Sequence, residues 1–197
     1  MAPALLGATV THAGVTVRLT EVEAYAGMSD PGSHAFRGPT PRTSVMFGPA
    51  GHLYVYFTYG MHWCANVVCG SEGAASAVLL RAGEVVGGDD LAAARRAGVV
   101  RRDWARGPAR LARTLGLRGE QSGVDACMPR GPVRFAAPDP RPAAALIRTG
   151  PRVGVSGTGG DAAAYPWRFW LDGEPTVSRY RPAPNRPTTS RARRGTA

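Results

Sequence analysis

Residues 15–25 read VTVRLTEVEAY and carry the clearest structural pattern in the chain. Apolar and polar side chains alternate along this segment, which is typical of a β-strand with one buried face. Successive side chains of a strand point to opposite faces, so every second residue belongs to one row. We therefore predict a core strand whose buried row comprises Val15, Val17, Leu19, Glu21, Glu23 and Tyr25.

The buried row contains two carboxylates, Glu21 and Glu23, whose spacing of two residues puts them roughly 7 Å apart on one face. A carboxylate among apolar side chains loses hydration, and this loss raises its pKa toward the range of a general base. The pair can therefore face one catalytic cavity. The alternative is a pair of solvated acids on an edge strand.

Local signals outside this strand predict further strands and two helices. Residues 53–59 and 63–68 read as a hairpin with its turn at Tyr59-Gly60-Met61. Residues 90–97 and 108–115 are predicted helices, because a glycine follows each and a proline opens the second. Strands are also predicted at residues 75–81, 133–136, 152–155 and 168–171, with mostly surface loops over residues 119–150. The predicted fold class is α+β, a single domain with a mainly antiparallel sheet and peripheral helices.

The chain has 197 residues, which is room for one domain and a tail. Residues 181–197 contain five arginines, no acid and several prolines, so we predict a domain over residues 1–180 and a disordered tail over residues 181–197. The three cysteines suit reduced thiols in a cytosolic compartment. The sequence lacks a long apolar run and a signal-peptide pattern, so we expect no membrane association.

Arginine dominates the charge of the chain, because all 24 basic residues are arginine and the net charge is +10. The absence of lysine excludes a Walker-type phosphate loop and a Schiff base on a side-chain amine. Residues 95–118 hold eight arginines against one acid, Asp103, which suits a polyanion such as nucleic acid. A solvated helix face is the alternative. Aromatic residues at positions 54–63 suit either base stacking or a filled core.

Several ordered motifs link these features: Glu21-Val22-Glu23-Ala24-Tyr25, Ser33-His34, Arg37-Gly38-x-Thr40-x-Arg42, Tyr54-Val55-Tyr56-x-x-Tyr59-Gly60-Met61-His62-x-Cys64-x-Asn66 and Leu79-Leu80-Arg81-Ala82. With Gly107-Pro108-Ala109-Arg110-Leu111 and Arg152-Val153-Gly154-Val155, they resemble the alkyladenine (3-methyladenine) DNA glycosylases of the mammalian type. The resemblance implies a single domain with a curved antiparallel sheet. It also implies excision of alkylated or deaminated purines without a metal.

The resemblance assigns roles to five residues of a base-binding site. Glu23 matches the general base that activates the water attacking C1′ of the deoxyribose. Tyr25, His34 and Tyr56 match the pocket that contacts a purine taken out of the helix, as excision of a base requires. Asn66 matches a steric gate that collides with the exocyclic amine of normal guanine.

Two further residues match positions toward the DNA. Tyr59 matches the side chain that fills the gap left in the minor groove, a role suited to a protruding hairpin tip. Arg81 matches an arginine at the end of a buried strand, near the site and the backbone phosphates. The family offers no catalytic role for Glu21, which we interpret as a structural carboxylate.

The resulting prediction is a monofunctional DNA glycosylase of base excision repair, acting by base flipping on 3-methyladenine, hypoxanthine or ethenoadenine. It needs no cofactor and no metal, since the four histidines are scattered and no CxxC or HExxH occurs. The predicted partner is double-stranded DNA containing damaged purines, and the protein is expected to be a monomer in the cytoplasm, associated with the nucleoid. The alternatives are a non-catalytic nucleic-acid-binding module and a carbohydrate glycosidase that uses Glu21 and Glu23 as its acid pair. The arginine surplus disfavours the second alternative.

Overall fold

The computed structural model describes residues 1–183, so most of the predicted tail lies outside the described residues. This part of the chain contains the α-helices α1 (Asp89–Arg95) and α2 (Pro108–Leu115). Neither is long and apolar enough to cross a membrane. The strands are β1 (Thr9–His12), β2 (Val15–Ala26), β3 (Leu53–Thr58), β4 (His62–Cys69), β5 (Ser76–Gly87), β6 (Val133–Ala136), β7 (Ile147–Gly150) and β8 (Arg168–Leu171).

The eight strands form one antiparallel sheet with the main order β3-β4-β5-β2-β1-β6. The long strands β2 and β5 form its centre. On the edge of β2 away from β5, the first half of β2 pairs with β1 and the second half of β2 pairs with β8. β8 in turn pairs with β7. This arrangement confirms the predicted α+β class.

Elements with strong local signals lie where the sequence predicts them. β3 and β4 form the hairpin, and α2 begins at Pro108 and ends before Gly116, whose φ of 76° suits a left-handed helix cap. β6 and β8 match predicted strands, whereas β1 and β7 were not predicted. The strand predicted at residues 152–155 is wrong, because the chain turns there through Gly154 with a φ of 72°.

The ladder between β2 and β5 contains two adjacent β-bulges. Thr20 on β2 has no partner in β5, and Arg81 on β5 has none in β2. A bulge advances one strand by a residue, so the side chains beyond it exchange faces of the sheet.

The predicted row of side chains is therefore wrong beyond Leu19. Leu19 and Val22 both pack in the main hydrophobic core, although they are three positions apart and strict alternation would put them on opposite faces. Glu21 and Glu23 lie on the opposite face, where both are fully buried. The sequence pattern could not show this change, because the bulges depend on pairing between segments about 60 residues apart.

The face that carries Glu23 has a row of paired residues across four strands. Glu23 pairs with Leu79 on β5, Leu79 pairs with Asn66 on β4, and Asn66 pairs with Tyr54 on β3. Neighbouring strands lie about 4.8 Å apart, so this row forms a continuous floor beneath one pocket.

Candidate active site

A pocket of about 340 Å³ opens above this floor, a volume within the range of small-ligand sites. Loops at residues 31–34 and 153–156 complete its walls. The structure brings together every residue that the sequence assigned to the site. Seven such residues line the pocket: Glu23, Tyr25, His34, Tyr56, Tyr59, Asn66 and Arg81.

Glu23 lies at the bottom of the pocket and has no exposed surface. Its Oε1 accepts a hydrogen bond from the backbone N–H of Val153 at 2.7 Å, and its Oε2 accepts one from the Tyr25 hydroxyl at 3.0 Å. Burial raises the pKa of Glu23 above its ordinary value, although Arg81 and the two hydrogen bonds oppose this rise. The carboxylate is thus better suited than a solvated acid to accept a proton.

Glu21 has a different environment, although it lies on the same strand and face. It accepts hydrogen bonds from Arg81 Nε at 2.8 Å and Arg168 Nε at 2.6 Å, and from the backbone N–H and the hydroxyl of Ser178 at 2.7 and 2.9 Å. Glu21 does not line the pocket. These contacts occupy its oxygens and support the interpretation of Glu21 as a structural carboxylate.

Arg81 joins the two carboxylates at the β-bulge. Its Nε contacts Glu21, and its Nη1 lies 3.3 Å from Glu23 Oε1. The sequence predicts Arg81 at the end of a strand. This prediction is wrong, because β5 continues to Gly87 and Arg81 lies in its middle. The side chain is buried, so its direct electrostatic effect falls on Glu23 and on a ligand in the pocket.

Aromatic rings form one wall of the pocket. The ring of His34 lies edge-on to Tyr56, with centroids 4.6 Å apart, and its Nδ1 is 3.2 Å from the Tyr54 hydroxyl. Tyr54 and Tyr56 are stacked at 5.4 Å. Partial burial and the nearby charge of Arg42 both lower the pKa of His34, so its imidazole is neutral at neutral pH. A neutral imidazole can donate one hydrogen bond and accept another.

Asn66 lies in the floor of the pocket and is only 5% exposed. Its Nδ2 donates a hydrogen bond of 3.2 Å to the carbonyl oxygen of Tyr54, its partner across the hairpin. This contact fixes the orientation of the amide. A fixed polar group beneath a pocket discriminates between ligands of similar shape, because the wrong ligand leaves polar atoms unpaired.

Tyr59 lies at the tip of the hairpin, at the mouth of the pocket, with 82% of its surface exposed. Its φ is 52° and that of Gly60 is 63°, and Met61 N–H closes the turn on the Thr58 carbonyl at 3.1 Å. A left-handed conformation costs a non-glycine residue about 1–3 kcal/mol. A strained and exposed tyrosine adds nothing to the core, so both features favour a functional role for this residue.

Arg152 supports the pocket from behind. Its buried guanidinium makes two hydrogen bonds to Asp30, at 2.6 and 2.7 Å, and another of 2.7 Å to the carbonyl of Gly159. The guanidinium also lies 4.6 Å from the ring centroid of Tyr25. Arg152 therefore fixes both Tyr25 and the start of the loop whose Val153 N–H binds Glu23.

Besides Arg152, three residues at the site were not given roles by the sequence. Val153 binds Glu23 through its backbone, and side-chain identity gives no signal for such a contact. Arg42 lies over the ring of Tyr56 at 5.5 Å, on the exposed side of the wall. Burial raises the pKa of the Cys64 thiol to about 11, so this pocket residue is protonated and a poor nucleophile.

Metal-binding side chains do not gather anywhere in the described chain. Within residues 1–183, no group of three or more His, Cys, Asp or Glu side chains is placed to hold a metal ion.

Comparison with known protein families places the chain among the DNA glycosylases. The family model of methylpurine-DNA glycosylase matches residues 1–175, and the chain belongs to that family. The pocket and its buried carboxylate lie within the matched region.

Curated relatives support the same assignment over nearly the whole length of the chain. A protein of Frankia casuarinae is 55% identical over 95% of this chain and 90% of that protein. Proteins of Streptomyces avermitilis and Leifsonia xyli are each 54% identical, over 92% and 93% of this chain and 86% and 88% of theirs. All three are provisionally named 3-methyladenine DNA glycosylase. These relatives are bacterial and do not support the qualifier "mammalian type".

Proposed function

We propose that this protein is a monofunctional DNA glycosylase that hydrolyses the N-glycosidic bond of alkylated or deaminated purines by base flipping. The observation that carries the proposal is Glu23, a fully buried carboxylate under a pocket walled by aromatic rings. The exposed Tyr59 at the mouth of that pocket adds a side chain able to fill the gap left by a flipped base. The substrates proposed are 3-methyladenine, hypoxanthine and ethenoadenine in double-stranded DNA.

The proposed reaction uses Glu23 as a general base. Water attacks C1′ of the deoxyribose while the bond to the purine nitrogen breaks, and Glu23 accepts a proton from that water. The purine leaves with the bonding electron pair, and the sugar gains a hydroxyl group. The ionised carboxylate also stabilises the positive charge that develops on the sugar ring.

The other pocket residues bind and select the base in this proposal. Tyr25, His34 and Tyr56 contact the flipped purine, and the neutral His34 supplies a hydrogen-bond donor to lesions that lack a positive charge. Asn66 is the steric gate against normal guanine, and its fixed amide supports that role. We further propose that the protein acts as a monomer in the cytoplasm, associated with the nucleoid.

An excision assay tests the proposed function. Duplexes that each carry hypoxanthine, ethenoadenine or 3-methyladenine are incubated with the protein, and the strands are resolved before and after alkali. We expect cleavage only after alkali, because a chain without lysine side chains leaves an intact abasic strand. Borohydride trapping of a covalent complex, or no product on any of the three duplexes, contradicts the proposal.

The pH dependence of excision tests the hydrogen bond between Tyr25 and Glu23. This bond stabilises the carboxylate, so removing it in Tyr25→Phe raises the pKa of Glu23 further. The ionised carboxylate is the active form, so activity falls as the pH falls through this pKa. We measure the single-turnover rate on hypoxanthine as a function of pH. In this pH–rate profile, the acidic limb of Tyr25→Phe should lie at higher pH than that of the unmodified protein.

The matched control is Tyr180→Phe, which removes a hydroxyl from an exposed tyrosine outside the pocket. Its acidic limb should coincide with that of the unmodified protein. The ring of Tyr25 is kept in the phenylalanine variant, so its contact with Arg152 remains. A limb that stays in place, or moves to lower pH, contradicts the role of this hydrogen bond.

A further inference from the structure

The arginine-rich segment, residues 95–118, is not one free basic face, because five of its eight arginines are engaged within the protein. Arg95 donates to the carbonyl oxygens of Ala13 and Thr114 at 2.7 and 2.9 Å. Arg101 pairs with Asp89 at 2.7 Å. Three more arginines surround Asp103 at 3.3 to 4.0 Å: Arg102, Arg106 and Arg110.

The three other arginines of this segment, Arg96, Arg113 and Arg118, line a single groove of about 810 Å³. Arg96 is only 8% exposed, and its buried Nε has no hydrogen-bond partner among residues 1–183. No acidic side chain of that range forms an ion pair with any of the three. An arginine whose Nε is buried without a partner, beside the like charges of Arg113 and Arg110, is destabilising unless an anion joins it.

Burial and the like charges of Arg113 and Arg110 lower the pKa of Arg96, in agreement with the lack of an acidic partner for it among residues 1–183. Arginine binds phosphate through two parallel hydrogen bonds and is therefore suited to phosphodiesters. The groove also contains Phe57 and Trp63, whose rings pack at 4.8 Å.

The groove lies on the opposite face of the β3–β4 hairpin from the base pocket. Tyr56 and Cys64 face the pocket, whereas their neighbours Phe57 and Trp63 face the groove, as the alternation of a strand requires. Both sites reach the hairpin tip, with Tyr59 at the mouth of the pocket and Met61 at the edge of the groove. A duplex that receives Tyr59 therefore extends past both faces of the hairpin.

We propose that the groove formed by Arg96, Arg113 and Arg118 binds a backbone phosphate of the DNA duplex, on the side of the hairpin away from the base pocket. This inference rests on the proposed function, because it takes DNA as the ligand. The groove holds the duplex while Tyr59 occupies its gap, and so it resists withdrawal of the hairpin. The binding is independent of sequence, since a phosphate carries no base information.

The test uses the full chain with Arg113 and Arg118 both changed to Gln. Both side chains are exposed, so the fold should survive their replacement, unlike that of the buried Arg96. The control changes Arg134 and Arg141 to Gln, which removes the same charge from exposed positions outside the groove. Affinity for a hypoxanthine duplex is measured over a range of salt concentrations. Loss of one or two phosphate contacts should make the slope of log K against log[salt] shallower by about 1–2.

A second measurement identifies the phosphate by replacing each one in turn with a neutral methylphosphonate. At the position bound in the groove, the replacement should weaken binding by the unmodified protein and leave binding by the groove variant unchanged. The proposed groove site is overturned if the groove and control variants show equal salt slopes and no methylphosphonate position distinguishes the unmodified protein from the groove variant. Excision by the unmodified protein is scored separately: its absence overturns the proposed function, whereas groove-dependent DNA binding still supports the phosphate site.

Discussion

Replacing Glu23 with Gln should lower single-turnover excision of hypoxanthine at least about 10²-fold, the contribution expected of a general base. Glutamine keeps the size of the side chain and can still accept the hydrogen bond from Val153. It cannot accept a proton from water, and it carries no charge to stabilise the developing sugar cation. The measurement uses excess enzyme, so that the rate reports the chemical step and not product release.

DNA binding separates the loss of catalysis from the loss of structure in this variant. Glu23→Gln should bind the hypoxanthine duplex at least as tightly as the unmodified protein, because a negative charge is removed. Glu72→Gln, at an exposed position in the β4–β5 loop, is the control and should keep the full rate. A rate of Glu23→Gln near that of the control removes Glu23 from the proposed role. Equal inactivity of all forms, with binding retained, favours a non-catalytic nucleic-acid-binding module.

The elements that sequence predicts correctly are those encoded by adjacent residues. The β3–β4 turn needs residues at positive φ, and Gly60 supplies one of them. α2 carries its own start at Pro108 and its own end at Gly116. Register is different, because the bulges at Thr20 and Arg81 arise from the pairing of two distant strands. Strict alternation therefore assigned Glu23 to the wrong face of the sheet.

The structure places all seven residues that the sequence assigned to the candidate site around one pocket, although one part of the reasoning was wrong. The sequence pattern predicts that the main core desolvates Glu23, whereas the structure buries Glu23 on the opposite face, at the bottom of the pocket. His34 and Asn66 came from the resemblance to a family, since nothing in their local sequence indicates a pocket. Neither the local sequence nor the family resemblance indicated the role of Val153, because its backbone N–H binds a residue 130 positions away in the chain.

The buried ion pair between Arg152 and Asp30, which holds the loop of Val153 in place, leads to a prediction on stability. Asp30→Ala should lower the free energy of unfolding by about 3–5 kcal/mol, because it leaves the guanidinium of Arg152 buried without its counter-charge. Asp30 also accepts hydrogen bonds from the backbone N–H groups of Ala26 and Gly32, at 3.2 and 2.8 Å. The loss is measured by urea unfolding, from the midpoint and the slope of the transition.

The chain offers a matched control for this prediction in the ion pair between Arg148 and Asp172. Its distance of 2.7 Å is as short as those of the buried pair, but both side chains are about half exposed. Asp172→Ala should therefore cost less than about 1 kcal/mol. The combination of Asp30→Ala with Arg152→Met should be more stable than Asp30→Ala alone, because it removes the unpaired charge as well. If Asp30→Ala costs no more than Asp172→Ala, the buried pair does not support the pocket.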